Sequence, residues 1–152
     1  MSRISDASII LLVITSKIYG HIMKKRSNPF PGPWRRLARL GAAAVWVHQG
    51  LWCKVLSDDP THREVLASVP GLSGKRARHA ATSLGLAETA LAAVVVGGGG
   101  RRSVAVLQTA VVVAFNAGGL TVGRAHIERP ARLMVRNAAF LALVWGSVDG
   151  RR

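Results

Sequence analysis

The sequence predicts an all-α protein: a four-helix transmembrane bundle preceded by an extra N-terminal apolar or interfacial helix. Three observations carry that expectation. Four apolar runs each approach the about 20 residues that a helix needs to cross a hydrocarbon core of about 30 Å. The chain is 49% hydrophobic with mean hydropathy +0.27 and yet carries a net charge of +14, its basic residues gathered around the apolar runs. Finally, Glu88 is the only charge within Ala80–Gly98. An ionisable group at bilayer depth costs roughly 2.5 kcal/mol or more, so it normally faces a bundle interior and marks a functional site.

The elements follow in order. Residues 1–33 form an N-terminal segment and linker, and residues 34–152 the four-helix domain. Ser8–Thr15 is strongly apolar, but its basic residues, Lys17, Lys24, Lys25 and Arg26, come after it. A secretory signal has the opposite order. Leu11, Ile18 and Ile22 recur along one helical face, which predicts an interfacial helix, with a short fifth span as the alternative. Ser27–Pro33 reads as a turn-rich linker. The first span is expected over Leu37–Leu56, the second over Ala80–Gly98, the third over Ser103–Gly123 and the fourth over Leu133–Val148. In the last, Arg136 can snorkel to the interface. Helices are preferred because each run outlasts a strand, and no ten-residue alternation suggests a barrel. Between the first two spans, Asp59-Pro60 resembles an N-cap followed by proline, opening a short surface helix over Thr61–Ser68. Gly97–Gly100 is too short for anything but an antiparallel connection. If the first span leaves the cytoplasm, ten basic residues lie inside against nine outside, which places both termini in the cytoplasm of a multi-pass cell-membrane protein.

Composition excludes several functions. A nucleic-acid binder needs a basic stripe with base-reading or stacking groups, and none is visible. Cys53 is the sole cysteine, so an internal disulfide and a two-cysteine relay are excluded. His48, His62, His79 and His126 are scattered without a second ligand at helical spacing, so no metal site is expected. The glycine run has no preceding strand and no following GKS or GKT, so it does not read as a phosphate loop. No Ser/His/Asp or Cys/His arrangement suggests nucleophilic catalysis.

The candidate site residues are polar groups at membrane depth. Trp46–Lys54, WVHQGLWCK, places His48 and Gln49 inside the first span. At α-helical spacing Trp46, Gln49 and Cys53 share one face, while His48 and Trp52 share the next. Gly50 permits close approach of a neighbouring helix. Glu88 can act as a neutral hydrogen-bond donor or pair with a cation, His48 or Lys54. Gln108, Asn116 and Asn137 add polar groups from the third and fourth spans. Two readings remain open. In one, His48, Gln49, Glu88, Gln108, Asn116 and Asn137 line a ligand-binding cavity, with Trp46, Gly50, Trp52 and Lys54 at a partner interface. In the other, the same residues only clamp the helices together.

These segments together resemble the DoxX-like family of membrane proteins. The resemblance rests on Trp46, Gly50, Leu51 and Lys54 in the first span, and on Asp58, Asp59 and Pro60 opening the surface helix. It continues with Gly85, Leu86 and Glu88 in the second span and Asn137 at the start of the last. It covers Arg36 to Gly150 and leaves out the first 30 residues. It implies a four-helix integral membrane bundle, some of whose relatives are linked to thiosulfate:quinone oxidoreduction or to thiol and oxidative-stress complexes. On that basis the expected role is an accessory subunit that binds a redox protein partner or a quinone-like lipid in a polar intramembrane site. The alternative is a non-catalytic membrane assembly or scaffold protein. No cofactor motif is evident, so an autonomous oxidoreductase is not expected. The expected partners are the bilayer, a membrane or redox protein, and a second copy of the chain, with no nucleic acid.

Overall fold

The computed structural model describes residues 31–57, 60–98 and 100–149, and every regular element among them is helical. The expected N-terminal interfacial helix, most of its linker, and Asp58 and Asp59 lie outside the described residues. Helix α1 spans Gly32–Val47 and runs on without a break as a π-helical segment, His48–Leu56. Helix α2 covers Pro60–Ala67, α3 Lys75–Gly97, α4 Arg102–Thr121 and α5 Pro130–Gly146. A 3₁₀ turn, Arg124–His126, joins the last two.

Proline sets several boundaries. α1 starts at Gly32, inside the expected linker, because Pro33 occupies its first turn. There the fixed φ of proline suits the helix and its missing N–H is no loss. α5 likewise starts at Pro130, three residues ahead of the expected span. Between α2 and α3 the chain turns through Gly71 (φ 85°) and Gly74 (φ 51°), left-handed backbone that glycine adopts without a Cβ penalty.

The four long helices pack as a ring. α1 and its π-helical continuation lie along α3, α5 sits against α1, α4 against α5, and α3 touches α4. α2 lies over α3 and meets the 3₁₀ turn. The shared core consists largely of small side chains: Ala42 and Ala43 with Trp46, Ala92 with Leu91 and Val95, and Ala105, Val112 and Val144. Small residues let helix backbones approach closely.

The larger apolar side chains point the other way. Leu86, Val94 and Val96 on α3, and Val106, Leu107 and Phe115 on α4, are exposed. α3 and α4 are each long and apolar enough to cross a membrane, yet only 33% and 17% of their apolar windows are buried within the chain. A core helix of a water-soluble protein has its apolar face covered by its own fold. Here the outer surface is the greasier one, and the charged side chains of these two helices, Glu88 excepted, lie at or near their ends.

Candidate functional site

The π-helical segment carries three of the polar residues singled out by sequence, His48, Gln49 and Lys54. Its wider turn brings residues five apart into register. The Ser57 amide bonds to the Trp52 carbonyl at 2.9 Å, and Lys54 Nζ reaches back to the Gln49 carbonyl at 3.2 Å. Cys53 Sγ lies 3.7 Å from His48 Nδ1. π-helical turns inside α-helices recur at functional sites.

Opposite this segment stands the middle of α3. Gly50 and Gly85 are the point of closest approach. A Cβ built on Gly50 would lie 2.5 Å from the Gly85 carbonyl oxygen, and one on Gly85 would lie 2.7 Å from that of Gly50. Only glycine at both positions allows the two backbones to touch. One turn further on, Lys54 Nζ donates to Glu88 Oε2 at 2.7 Å. The two side chains are only 9% and 3% exposed, so the pair is shielded from solvent. Thr89 Oγ1 returns its proton to the Gly85 carbonyl within the helix. Gly50 with Lys54, and Gly85 with Glu88, thus form one interlock: two glycines bring the backbones together, and the charges close over the contact.

The other polar residues divide into separate pairs. Trp46 Nε1 donates to Gln108 Oε1 at 2.9 Å in the core, and Trp46 meets Phe140 edge-on at 5.5 Å. Asn137 Nδ2 donates to Asn116 Oδ1 at 2.6 Å, linking α5 to α4. Trp145 Nε1 donates to Thr109 Oγ1 at 3.2 Å between the same two helices. Each pair satisfies groups that would be costly to leave unbonded inside a bundle.

Several of these placements differ from the sequence expectations. Of the two cations open to Glu88 from the sequence, Lys54 is the one that pairs with it, while His48 is exposed beside Cys53. Lys54 turns inward and away from a partner interface, because Glu88 offers a buried counter-charge within reach. Trp46, expected at a partner interface, is a core residue, whereas Trp52 is exposed. Gly50 is buried against α3. The six polar candidates therefore do not meet around one cavity. The two surface hollows described lie elsewhere, one by Gly32, Pro33, Arg36 and Leu37, the other between α2 and the start of α3. Among the described residues, no group of three or more His, Cys, Asp or Glu side chains comes together to hold a metal. Sequence reasoning missed Gly85 as the partner of Gly50, the Thr109–Trp145 bond, and the contacts of Arg35 and Arg39 with Asp149. The spacing Gly-x-x-x-Lys on one helix facing Gly-x-x-Glu on the next was the available signal for the first of these.

Comparison with known proteins gives one family. The DoxX-like family matches residues 43–145, which takes in the π-helical segment, the Lys54–Glu88 pair and both asparagines. No match is found among curated proteins, nor among solved structures.

Proposed function

The chain belongs to the DoxX-like family, and from that premise we propose that it is a multi-pass protein of the cytoplasmic membrane. In this reading α1 with its π-helical continuation, α3, α4 and α5 form a four-helix transmembrane bundle with both termini on the cytoplasmic side. Its polar residues act as clamps, and its role is that of a membrane assembly or scaffold protein. The observation that carries this is the Lys54–Glu88 bond of 2.7 Å, which joins neighbouring helices and occupies the carboxylate that would otherwise be free for a ligand. The exposed apolar faces of α3 and α4 support lipid as the surrounding solvent.

A second reading has one observation in its favour. The π-helical segment presents Trp52, 58% exposed, beside the exposed His48. An aromatic and a hydrogen-bonding group on an irregular turn suit docking of a quinone-like lipid or a redox protein partner, as an accessory subunit would require.

Glu88→Gln separates the two. The scaffold reading expects the variant to insert, to unfold more readily in detergent, and to co-purify with the same lipids and proteins as the wild type. A variant of unchanged stability that has lost a co-purifying quinone, lipid or protein would favour the accessory reading and contradict the first.

A further inference from the structure

The far end of the bundle from α2 carries a charge imbalance that the interhelical clamps do not use. Arg35, Arg36 and Arg39 project there from α1, and Arg101 and Arg102 from the start of α4. Asp149, just beyond α5, is the single acidic residue among the described residues at that end. It is drawn into place by its own amide, which bonds to the Gly100 carbonyl at 2.9 Å.

Asp149 does not satisfy the guanidiniums around it. Its carboxylate lies 3.6 Å from Arg35 Nε and 3.7 Å from Arg39 Nη2, both beyond hydrogen-bond length. The Nε atoms of Arg35 and Arg39 are both buried, and neither has an acceptor among the described residues. Arg36 and Arg101 are exposed, and Arg102 lies over the Trp145 ring at 5.9 Å. Two guanidiniums, those of Arg35 and Arg39, thus flank one loosely held carboxylate, each with a buried donor left over, and three more arginines stand at the same end of the bundle. A buried donor without an acceptor is costly, which points to a further acceptor at this end.

We propose that this arginine-rich end binds the phosphate of an anionic phospholipid. A phosphate offers several acceptor oxygens in the geometry that guanidinium forks match. The lipid source follows from depth and neighbours, and so rests on the membrane reading above. α4 begins at Arg102, so if it crosses the bilayer, Arg101 and Arg102 stand at headgroup level. Along α1 the exposed Trp34, Leu37 and Leu40 offer an apolar surface beside the same cations, and an open hollow is lined by Arg36 and Leu37. An acyl chain fits that surface, and a free phosphate has no use for it.

The test uses the full chain in a non-ionic detergent, with bound lipids counted by native mass spectrometry during titration with phosphatidylglycerol, phosphatidylcholine or inorganic phosphate. Phosphatidylglycerol is expected to bind more tightly than phosphatidylcholine, and inorganic phosphate to compete poorly. Arg36→Gln with Arg101→Gln changes exposed side chains that hold no hydrogen bond or ion pair among the described residues, and so is expected to preserve folding. This variant is expected to weaken phosphatidylglycerol binding on the order of twentyfold, at about fivefold per cation near an anionic surface. Lys75→Gln with Arg76→Gln, at the opposite end, is expected to leave it unchanged. Equal binding of the two lipids, full binding by the first variant, an equal loss in the second, or equal competition by inorganic phosphate would each overturn the proposal. A chain that stays folded and monodisperse without detergent would instead overturn the membrane reading.

Discussion

Lys54→Met removes the cation 2.7 Å from Glu88 while keeping much of the lysine's length and apolar stem. The carboxylate is 3% exposed, so water cannot replace the lost partner without opening the contact between the π-helical segment and α3. Breaking a buried ion pair from one side costs about 3–5 kcal/mol, between two and four powers of ten in the unfolding equilibrium. Removing both charges, as in Lys54→Met with Glu88→Leu, leaves no buried charge and should recover most of that loss. The assay is unfolding in mixed micelles of mild detergent and SDS, followed by the fluorescence of the four tryptophans. The two single variants, the double variant and the wild type complete a double-mutant cycle. A Lys54→Met protein within about 0.5 kcal/mol of wild type, or strictly additive single effects, would refute the reasoning.

Three further outcomes follow from the same geometry. Gly85→Ala places a Cβ 2.7 Å from the Gly50 carbonyl and 2.9 Å from Lys54 Cβ, and should cost about 1–3 kcal/mol in the same assay; a variant as stable as wild type would show that the helices do not meet there. Trp46→Phe leaves Gln108 Oε1 without its donor at a site 2% exposed, and should cost about 1–3 kcal/mol, with part of the loss recovered by adding Gln108→Leu; no recovery would assign the loss to packing alone. Asn137→Leu removes an interhelical bond of the kind that averages about 0.6 kcal/mol in membrane bundles, so its effect should be well below that of Lys54→Met; an equal or larger loss would make the asparagine pair the principal clamp.

Much of the fold was legible in the sequence because apolar runs of this length leave few alternatives. The second and third expected spans agree with α3 and α4 to within a few residues at each end. The start of α1 differs because Pro33 reads as part of a linker, although proline also opens helices, and α5 opens on Pro130 in the same way, three residues ahead of the expected span. At the site, Glu88 was recognisable as a lone carboxyl in an apolar run. Its partner was left open between His48 and Lys54, because face assignments assumed α-helical spacing throughout. The π-helical segment changes that spacing, setting His48 against Cys53 and Gln49 against Lys54, each five residues apart. A π-helical segment leaves no compositional mark that distinguishes it from an α-helix. The glycine-to-glycine contact was half legible: Gly50 was identified as a close-approach position, but the helix it meets depends on how the four helices are ordered in the ring. The pairing of Asn116 with Asn137 was hidden for the same reason, since each residue alone announces only that it needs some partner.

The claim on which the rest depends is that lipid covers the outer faces of α3 and α4. Membrane-impermeant maleimide labelling of open membrane fragments tests it most directly, using single cysteines placed in a Cys53→Ser background. Leu86→Cys and Phe115→Cys sit on exposed apolar faces, and Arg76→Cys and Arg101→Cys lie at helix ends. The account predicts that positions 76 and 101 label in intact fragments, and that 86 and 115 label only after SDS is added. Labelling at 86 and 115 as complete as at 76, with no detergent present, would contradict it.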